Sequence, residues 1–167
     1  MSGALEETDD RPALVADALD LKALRHLQRS GRATWAELAG ILGLSAPAAA
    51  ERVHRLEERG AIRGYSALLA PAAAGCGLLA FIAVTLERPR HRAAFLARIQ
   101  ELPEIQECHH VAGDDDYLLK VRCRGARDLD RLLSEGIKAL PGVARTRTTI
   151  ALGTVKETTE MPLAPPD

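Results

Sequence analysis

A chain of 167 residues has the length of one domain or two small ones, and with 47% apolar and 27% charged residues it lies close to the globular average. That composition excludes wholesale disorder, a collagen-like repeat and a disulfide-dense mini-scaffold, and the length suffices to bury a sizeable core without metal or disulfide staples. A net charge of −1 excludes a strongly basic, histone-like protein.

No apolar run approaches the ~20 residues that a membrane-spanning helix needs. The opening MSGALEETDDRP is acidic where a signal peptide is basic and then apolar, so a cytoplasmic protein with no membrane partner is expected. Cys76, Cys108 and Cys123 are odd in number and form no Cys-x-x-Cys pair, which reads as reduced thiols acting as small hydrophobes. Charge is uneven along the chain: residues 1–16 carry −3, residues 17–65 carry +2, and the remainder balances. A mildly basic unit behind an acidic flexible tail permits nucleic-acid binding without demanding it.

From Asp17 to Ser30 the pattern predicts a helix, with Asp17 and Asp20 at the N-cap and N3 positions, Leu21, Leu24 and Leu27 as the apolar stripe, and Gly31 as the stop. Thr34 and Glu37 form a capping box that opens a second helix, whose Leu38, Ile41 and Leu42 face inward and which ends at Gly43. Ser45 caps a third helix. With Val53 at the centre of its buried face, Ala49, Ala50, Leu56 and Glu57 lie near it, Ala48, Glu51, Arg52 and Arg55 turn outward, and Gly60 closes it. The Gly43-Leu44-Ser45 corner between two helices matches helix-turn-helix anatomy, with the third helix as the reader. Residues 62–67 and the following Leu68-Leu69 alternate loosely enough for two short strands, a wing beside that motif. Pro71, Gly75, Gly77 and the alanines among them mark a break.

Beyond it, Leu79–Leu86 reads as a buried strand, Arg90–Leu102 as a helix stopped by Pro103, and Ile105–Val111 as a second strand. Gly113 with three aspartates makes a turn, Tyr117–Cys123 is a third strand, Ala126–Leu140 a helix stopped by Pro141-Gly142, and Ala144–Leu152 a fourth strand. This βαββαβ order is the split βαβ sandwich of the ferredoxin-like type, with helices on one face of the sheet. The free face still carries alternate members of Phe81, Ile82, Val84 and Leu86, so a second copy is expected to cover it. The fold expected is therefore α+β: an acidic tail over 1–16, a winged helix-turn-helix over 17–70, a linker at 71–77, the sandwich over 78–160 and a C-terminal tail at 161–167.

Arg52 and Arg55 near the middle of the third helix, His54 at its flank, and Arg63 and Tyr65 on the wing suit phosphates and guanine edges. The competing reading is a solvated charged face, because Glu51, Glu57 and Glu58 supply helical ion-pair partners; the helix-turn-helix spacing decides for DNA. His109 and His110 before Asp114, Asp115 and Asp116 offer metal-ligating types, but adjacent strand residues point to opposite faces and no fourth ligand is spaced as in closed sites, so no metal is assigned. An Asp-rich turn is explained by local side-chain to backbone bonding. No phosphate loop and no nucleophile with an orienting partner is apparent, so no enzyme activity and no cofactor are assigned.

The segments Gly31-Arg32, Gly43-Leu44-Ser45, Glu51-Arg52-Val53, Arg55-Leu56-Glu57, Gly60-x-Ile62-x-Gly64-Tyr65, Gln106-Glu107-Cys108-His109, Gly113-Asp114-x-Asp116-Tyr117-Leu118-Leu119 and Leu140-Pro141-Gly142-Val143 resemble, in order and spacing, the Lrp/AsnC family of transcription regulators, and most of all its leucine-responsive branch. The resemblance spans Asp17 to Val155. It implies a helix-turn-helix on double-stranded DNA with an imperfect palindromic site, a RAM-type C-terminal sandwich that dimerises and assembles further into octamers, and an amino-acid effector. The chain departs from the family at Ala46-Pro47-Ala48-Ala49-Ala50, where larger polar residues often open the reader helix, and at Asp115, where an aromatic or small residue is usual. The DNA-facing set is then Arg32, Ser45, Pro47, Ala48, Glu51, Arg52, His54, Arg55, Arg63 and Tyr65.

For the effector the resemblance points to the turn Val111, Ala112, Gly113, Asp114, Asp116 and Tyr117, with Thr146 and Thr148 from a neighbouring strand or subunit. An α-amino acid presents an ammonium beside a carboxylate. Asp114 or Asp116 can pair with the ammonium, Gly113 can bring backbone amides close, and Val111 offers an apolar shelf for a leucine-like or other branched side chain. Three consecutive aspartates predict a strongly negative pocket, which keeps a cationic or small amino acid in play. An effector-independent architectural DNA-binding protein of the nucleoid type is the alternative function.

Overall fold

The computed structural model describes residues 17–163; the acidic tail expected over residues 1–16 lies outside the described residues, as do residues 164–167 of the C-terminal tail. The chain forms two compact units, one holding the described residues up to Ala67 together with those from Glu157 onward, the other running from Leu68 to Lys156.

In the first unit, three helices follow the expected order. Helix α1 (Ala18–Arg29) opens on a reciprocal capping box, in which the Asp20 N–H donates to Asp17 Oδ1 at 2.8 Å and the Asp17 N–H to Asp20 Oδ2 at 3.4 Å. Helix α2 (Trp35–Leu42) repeats the device with Thr34 and Glu37, and Gly43 ends it in the left-handed conformation, φ 70°, that a residue without Cβ adopts without strain. Helix α3 (Ala46–Glu58) starts on Ser45, whose Oγ accepts the Ala48 N–H, with Pro47 in its first turn. Ala23, Leu38, Leu42, Ala49, Val53 and Leu56 fuse the three into one core.

The wing strands are not formed. Residues 62–69 run without ladder partners, Leu68 and Leu69 are exposed, and Gly64 sits at φ 151° in their midst. A lone two-stranded ribbon is marginal in water, and beyond Ile62, which leans on the helical core, every residue of this stretch is exposed. The unit is completed by the C-terminal segment. The Gln28 side chain donates to the Met161 carbonyl at 3.3 Å and accepts the Met161 N–H at 2.5 Å, Arg29 pairs with Glu160 at 3.1 Å, and Arg25 donates to the Leu163 carbonyl at 3.2 Å. These contacts of Glu160, Met161 and Leu163 with α1 place the end of the described chain in this unit.

In the second unit, β1 (Leu78–Leu86), α4 (Arg92–Glu101), β2 (Ile105–His110), β3 (Tyr117–Cys123), α5 (Ala126–Arg131) and β4 (Val143–Ile150) give the βαββαβ order, with a 3-10 turn at Pro89–His91. The sheet is ordered β2-β3-β1-β4 and every pairing is antiparallel. The second helix is not regular to its end: it widens to π-helical turns over Leu132–Ile137, where Gly136 lets the backbone press against Leu102. Ala80, Ile82 and Val84 of β1 pack with Leu119 and Val121 of β3 against Phe95 and Ile99 of α4 and Leu129, Leu132 and Ile137.

Strand alternation then assigns the other face. Of the apolar residues expected on it, Ile82, Val84 and Leu86 pack with the helix-covered core, and Leu79, Phe81 and Ala83 are the apolar residues of β1 that remain there. By register, Phe81 lies between Lys120 and Thr149, and Ala83 between Leu118 and Arg147, so this face mixes apolar and charged residues.

Candidate nucleic-acid interface and effector turn

The α3 helix is held by one face and free on the other. Ala49, Val53 and Leu56 are buried, whereas Pro47, Ala48, Glu51, His54 and Arg55 are exposed, as are Ser45 at its cap and Arg32 in the turn before α2. His54 lies against the Trp35 ring, 5.8 Å between centroids, and 3.1 Å from Glu57. Tyr65 donates to Glu57 at 2.9 Å, so it leans on α3, and Arg63 stands exposed in the same extended stretch. His54 first and the Tyr65 hydroxyl second hold the Glu57 carboxyl below its ordinary range, and loss of hydration together with that glutamate pushes the Tyr65 hydroxyl up to about 12.

Arg52 corrects the sequence reading. Its guanidinium does not project outward: Nη1 donates to Asp17 Oδ2 at 2.6 Å and to Asp20 Oδ1 at 2.5 Å, and its side chain is only 17% exposed. Asp20 is itself 6% exposed. The capping carboxylates of α1 therefore clasp the middle of α3, and Arg52 sets the pose of the reader helix instead of offering it a contact. Periodicity placed Arg52 one step from the buried centre, and a long side chain at that boundary turns toward the nearest carboxylates. Beside the clasp, Arg55 and Arg59, one helical turn apart, rim a shallow cavity of about 210 Å³ together with Asp17, Asp20 and Leu56.

In the second unit the turn from Val111 to Asp116 joins β2 to β3. The Val111 N–H donates to the Asp116 carbonyl at 3.0 Å, and the Asp116 N–H to the Val84 carbonyl at 2.9 Å. Gly113, φ 144°, supplies a conformation other residues rarely adopt, and Ala112, Gly113 and Asp114 are exposed. Asp116 differs from expectation, since its Oδ2 accepts the Leu86 N–H at 2.7 Å and is engaged in fixing the turn to β1. Asp114 is the carboxylate left at the exposed crest.

Asp115 is buried, 8% exposed, and satisfied on every side: Thr85 donates at 2.9 Å, Arg145 at 3.2 Å and Arg147 at 2.7 Å. The Thr85 hydroxyl first, then the Arg147 and Arg145 charges, hold its carboxyl below the ordinary range. The strongly negative turn expected from three aspartates is thus not what forms: the Asp115 carboxylate is offset by two guanidiniums, while that of Asp116 keeps its charge and is held by a backbone amide. Arg145 also donates to the Asp114 carbonyl at 3.3 Å.

Thr146 and Thr148 are not brought to the turn within the protomer. Their β1 partners are Val84 and Ile82, on the helix-covered side, whereas Arg145 and Arg147 pair in register with Thr85 and Ala83 on the other. Sequence reading missed Thr85, Arg145 and Arg147; the opposite charges of Asp115 and two arginines at alternate β4 positions were the available signal. Tyr117 is buried against Phe95 and His110, with ring centroids 5.0 and 5.2 Å apart. Glu107 bonds His109 two residues on in its own strand at 3.0 Å and Lys120 of the neighbouring β3 at 2.9 Å. Among the described residues no three His, Cys, Asp or Glu side chains converge as a metal site, and no helix is long and apolar enough to cross a membrane.

Both units match known families. Residues 17–57 match the AsnC-type helix-turn-helix domain and residues 79–161 the Lrp/AsnC ligand binding domain. The leucine-responsive regulatory proteins of Salmonella typhimurium and Escherichia coli K12 are 42% and 41% identical over 157 residues, which cover 93% of this chain and 96% of each of theirs. Among solved structures, a transcriptional regulator of Neisseria meningitidis in complex with L-methionine superposes with a TM-score of 0.84 at 32% identity, covering 87% of this chain and 96% of that one. A feast or famine regulatory protein of Mycobacterium tuberculosis, also complexed with L-methionine, does so at 0.80 and 41% identity, covering 87% and 97%. These relatives are regulators and not enzymes, and they match this chain along nearly its whole length, across both family models; the chain is a DNA-binding transcriptional regulator of the Lrp/AsnC family.

Proposed function

We propose that α3 enters the major groove of double-stranded DNA, with Pro47, Ala48, Glu51 and Arg55 toward the bases and Arg32, Ser45, His54, Arg63 and Tyr65 at its flanks. The observation that carries this reading is a helix locked by Ala49, Val53 and Leu56 on one side and exposed on the other at the end where the turn residues meet it. Alanines offer thymine methyl contacts and no hydrogen bonds, so phosphate contacts and DNA shape supply much of the affinity. In a homodimer two such helices face an imperfect palindrome with half-sites about one helical turn apart, or a multiple of it. Arg55→Ala should weaken binding to the protein's own upstream region by about 1–3 kcal/mol, and log K should fall linearly with log salt. Footprints and gel shifts check this; a single unrepeated half-site, or wild-type affinity in Arg55→Ala, counts against it.

The same proposal places a free amino acid at the turn Val111–Tyr117, its ammonium on Asp114, its carboxylate on the exposed amides around Ala112 and Gly113, and its side chain on Val111. Thr146 and Thr148 join that site only from a second copy. L-Methionine in two similar structures supports an apolar ligand, and the pairing of Asp115 with Arg145 and Arg147 removes the charge that would have favoured a cationic one. Leucine or another branched-chain amino acid, in a cytoplasmic regulator of amino-acid metabolism that dimerises and assembles to octamers, completes the reading. A thermal-shift panel of the twenty amino acids should show leucine, isoleucine, valine or methionine raising the melting temperature of the wild type and not of Asp114→Ala. DNA binding with no shift from any amino acid would favour the architectural alternative instead.

A further inference from the structure

A carboxylate beside a helix that approaches DNA is electrostatically unfavourable, because every phosphate it nears repels it. Glu57 is such a group, for it touches His54 and Tyr65, two of the residues set at the flanks of α3. Its carboxylate stands 3.1 Å from His54 Nδ1, one turn back on the helix, and accepts the Tyr65 hydroxyl at 2.9 Å from the extended stretch that follows α3. An ionised carboxylate only accepts, so Nδ1 of His54 carries the hydrogen. The Tyr65 ring lies over the turn between α1 and α2, where a Cβ placed on Gly31 would meet it at 3.6 Å, next to the exposed Arg32. The same stretch is tied at its start, since the Ile62 N–H donates to the Leu56 carbonyl at 3.2 Å and the Ile62 side chain packs on the helical core. Arg63 and Gly64 are what lies between these two anchors, and Arg63 is exposed.

We propose that Glu57 is a positioning residue of the DNA interface: through Tyr65 it fixes residues 62–65 as ladder hydrogen bonds would fix a wing, so that Arg63 meets a phosphate beside α3 from a preset arm. The role rests on the reading that α3 enters the major groove. A segment ordered only on binding loses conformational entropy at that moment, and one fixed beforehand does not. Loss of hydration and the Glu57 charge push the Tyr65 hydroxyl up to about 12, so it stays a donor at neutral pH and the anchor holds. The Glu57 charge is in turn engaged by the phenol and the imidazole. A mere surface carboxylate and a positioning one predict opposite signs: removing the first relieves repulsion and tightens DNA binding, whereas removing the second frees the arm and weakens it.

The test uses the full chain, with gel-shift titrations on its own upstream region at several salt concentrations and thermal unfolding of the same samples. Glu57→Ala should weaken DNA binding about three- to tenfold. It should also flatten the slope of log K against log salt by about one for each protomer on the DNA, as the loss of one phosphate contact does. Tyr65→Phe, which removes only the hydroxyl, should follow it, and the double variant should be no worse than Glu57→Ala alone. Arg63→Ala should weaken binding in the wild type and add nothing in Glu57→Ala. Glu57→Gln, whose amide oxygen still accepts the hydroxyl, should bind at least as tightly as the wild type. The melting temperature of Glu57→Ala should stay within about 2 °C of wild type, because an exposed contact contributes little to folding. Equal or tighter binding by Glu57→Ala, additive losses with Arg63→Ala, weakened binding by Glu57→Gln, or a larger fall in melting temperature overturns the positioning role, and the groove reading survives as long as Arg55→Ala loses affinity. Wild-type affinity in Arg55→Ala overturns the groove reading, and the arm with it.

Discussion

Replacing Arg52 with alanine is expected to destabilise the helical unit by about 2–4 kcal/mol, because it leaves Asp20 buried without a compensating charge. Asp20 is 6% exposed, so water does not readily take the place of the guanidinium. Asp20→Asn, which keeps the shape and removes the charge, should lose about half as much. Both variants should weaken DNA binding, since both loosen α3 against α1. The Asp20 variant separates positioning from contact: its side chain is in the core of the clasp, so a loss of DNA affinity there reports the pose of the helix. Urea unfolding read by circular dichroism, beside gel shifts on one operator, provides the comparison. Wild-type stability in Arg52→Ala would refute the clasp.

The clasp also has a defined pH dependence. The Asp17 carboxyl is held below its ordinary range by the Asp20 N–H first and the Arg52 guanidinium second, and the Arg52 guanidinium is correspondingly raised. A depressed carboxyl contributes stability that is present above its ordinary value and is lost as pH falls through the folded value. The difference between wild type and Arg52→Ala should therefore be constant near neutrality and narrow below the usual aspartate range.

Gly142→Ala should cost the ligand-binding unit about 2–4 kcal/mol. Gly142 sits at φ 86°, where a side chain is strained, and a Cβ placed on it would fall on the His91 ring. That ring closes over the glycine, and the Gly142 carbonyl accepts the Glu87 N–H at 2.8 Å, fixing the start of β4 to the end of β1. Two terms are separable. His91→Ala in the same chain removes the clash and should recover all but the backbone part, about 1–2 kcal/mol, in a double-mutant cycle on thermal unfolding. Because β4 carries Arg145 and Arg147, the single variant should also blunt the response to amino acid. Equal losses with and without His91→Ala would show that the ring gives way and that the strain is all in the backbone.

The local grammar of this protein is written in its sequence. Asp17 with Asp20 and Thr34 with Glu37 state where α1 and α2 begin, Gly43 and Ser45 define the corner before α3, and the strand and helix periods of residues 79–152 spell βαββαβ, because caps and periodicity are determined by residues three or four apart. The motifs around Gly113 and Pro141 carried the family. Contacts between residues far apart were decided otherwise. Nothing near Arg52 in the sequence says that its partners are Asp17 and Asp20, 35 and 32 positions away, and a boundary position of a helix reads equally well as exposed. The wing failed for the converse reason: alternation without a face to bury forms no strand. One step of strand register separates Thr146 from Arg145 and Arg147, and only pairing with Thr85 and Ala83 put the arginines beside Asp115. The C-terminal segment on α1 rests on Gln28 and Arg29 meeting backbone and Glu160 more than 130 positions on, polar contacts with no period to announce them, so the tertiary structure alone could assign them.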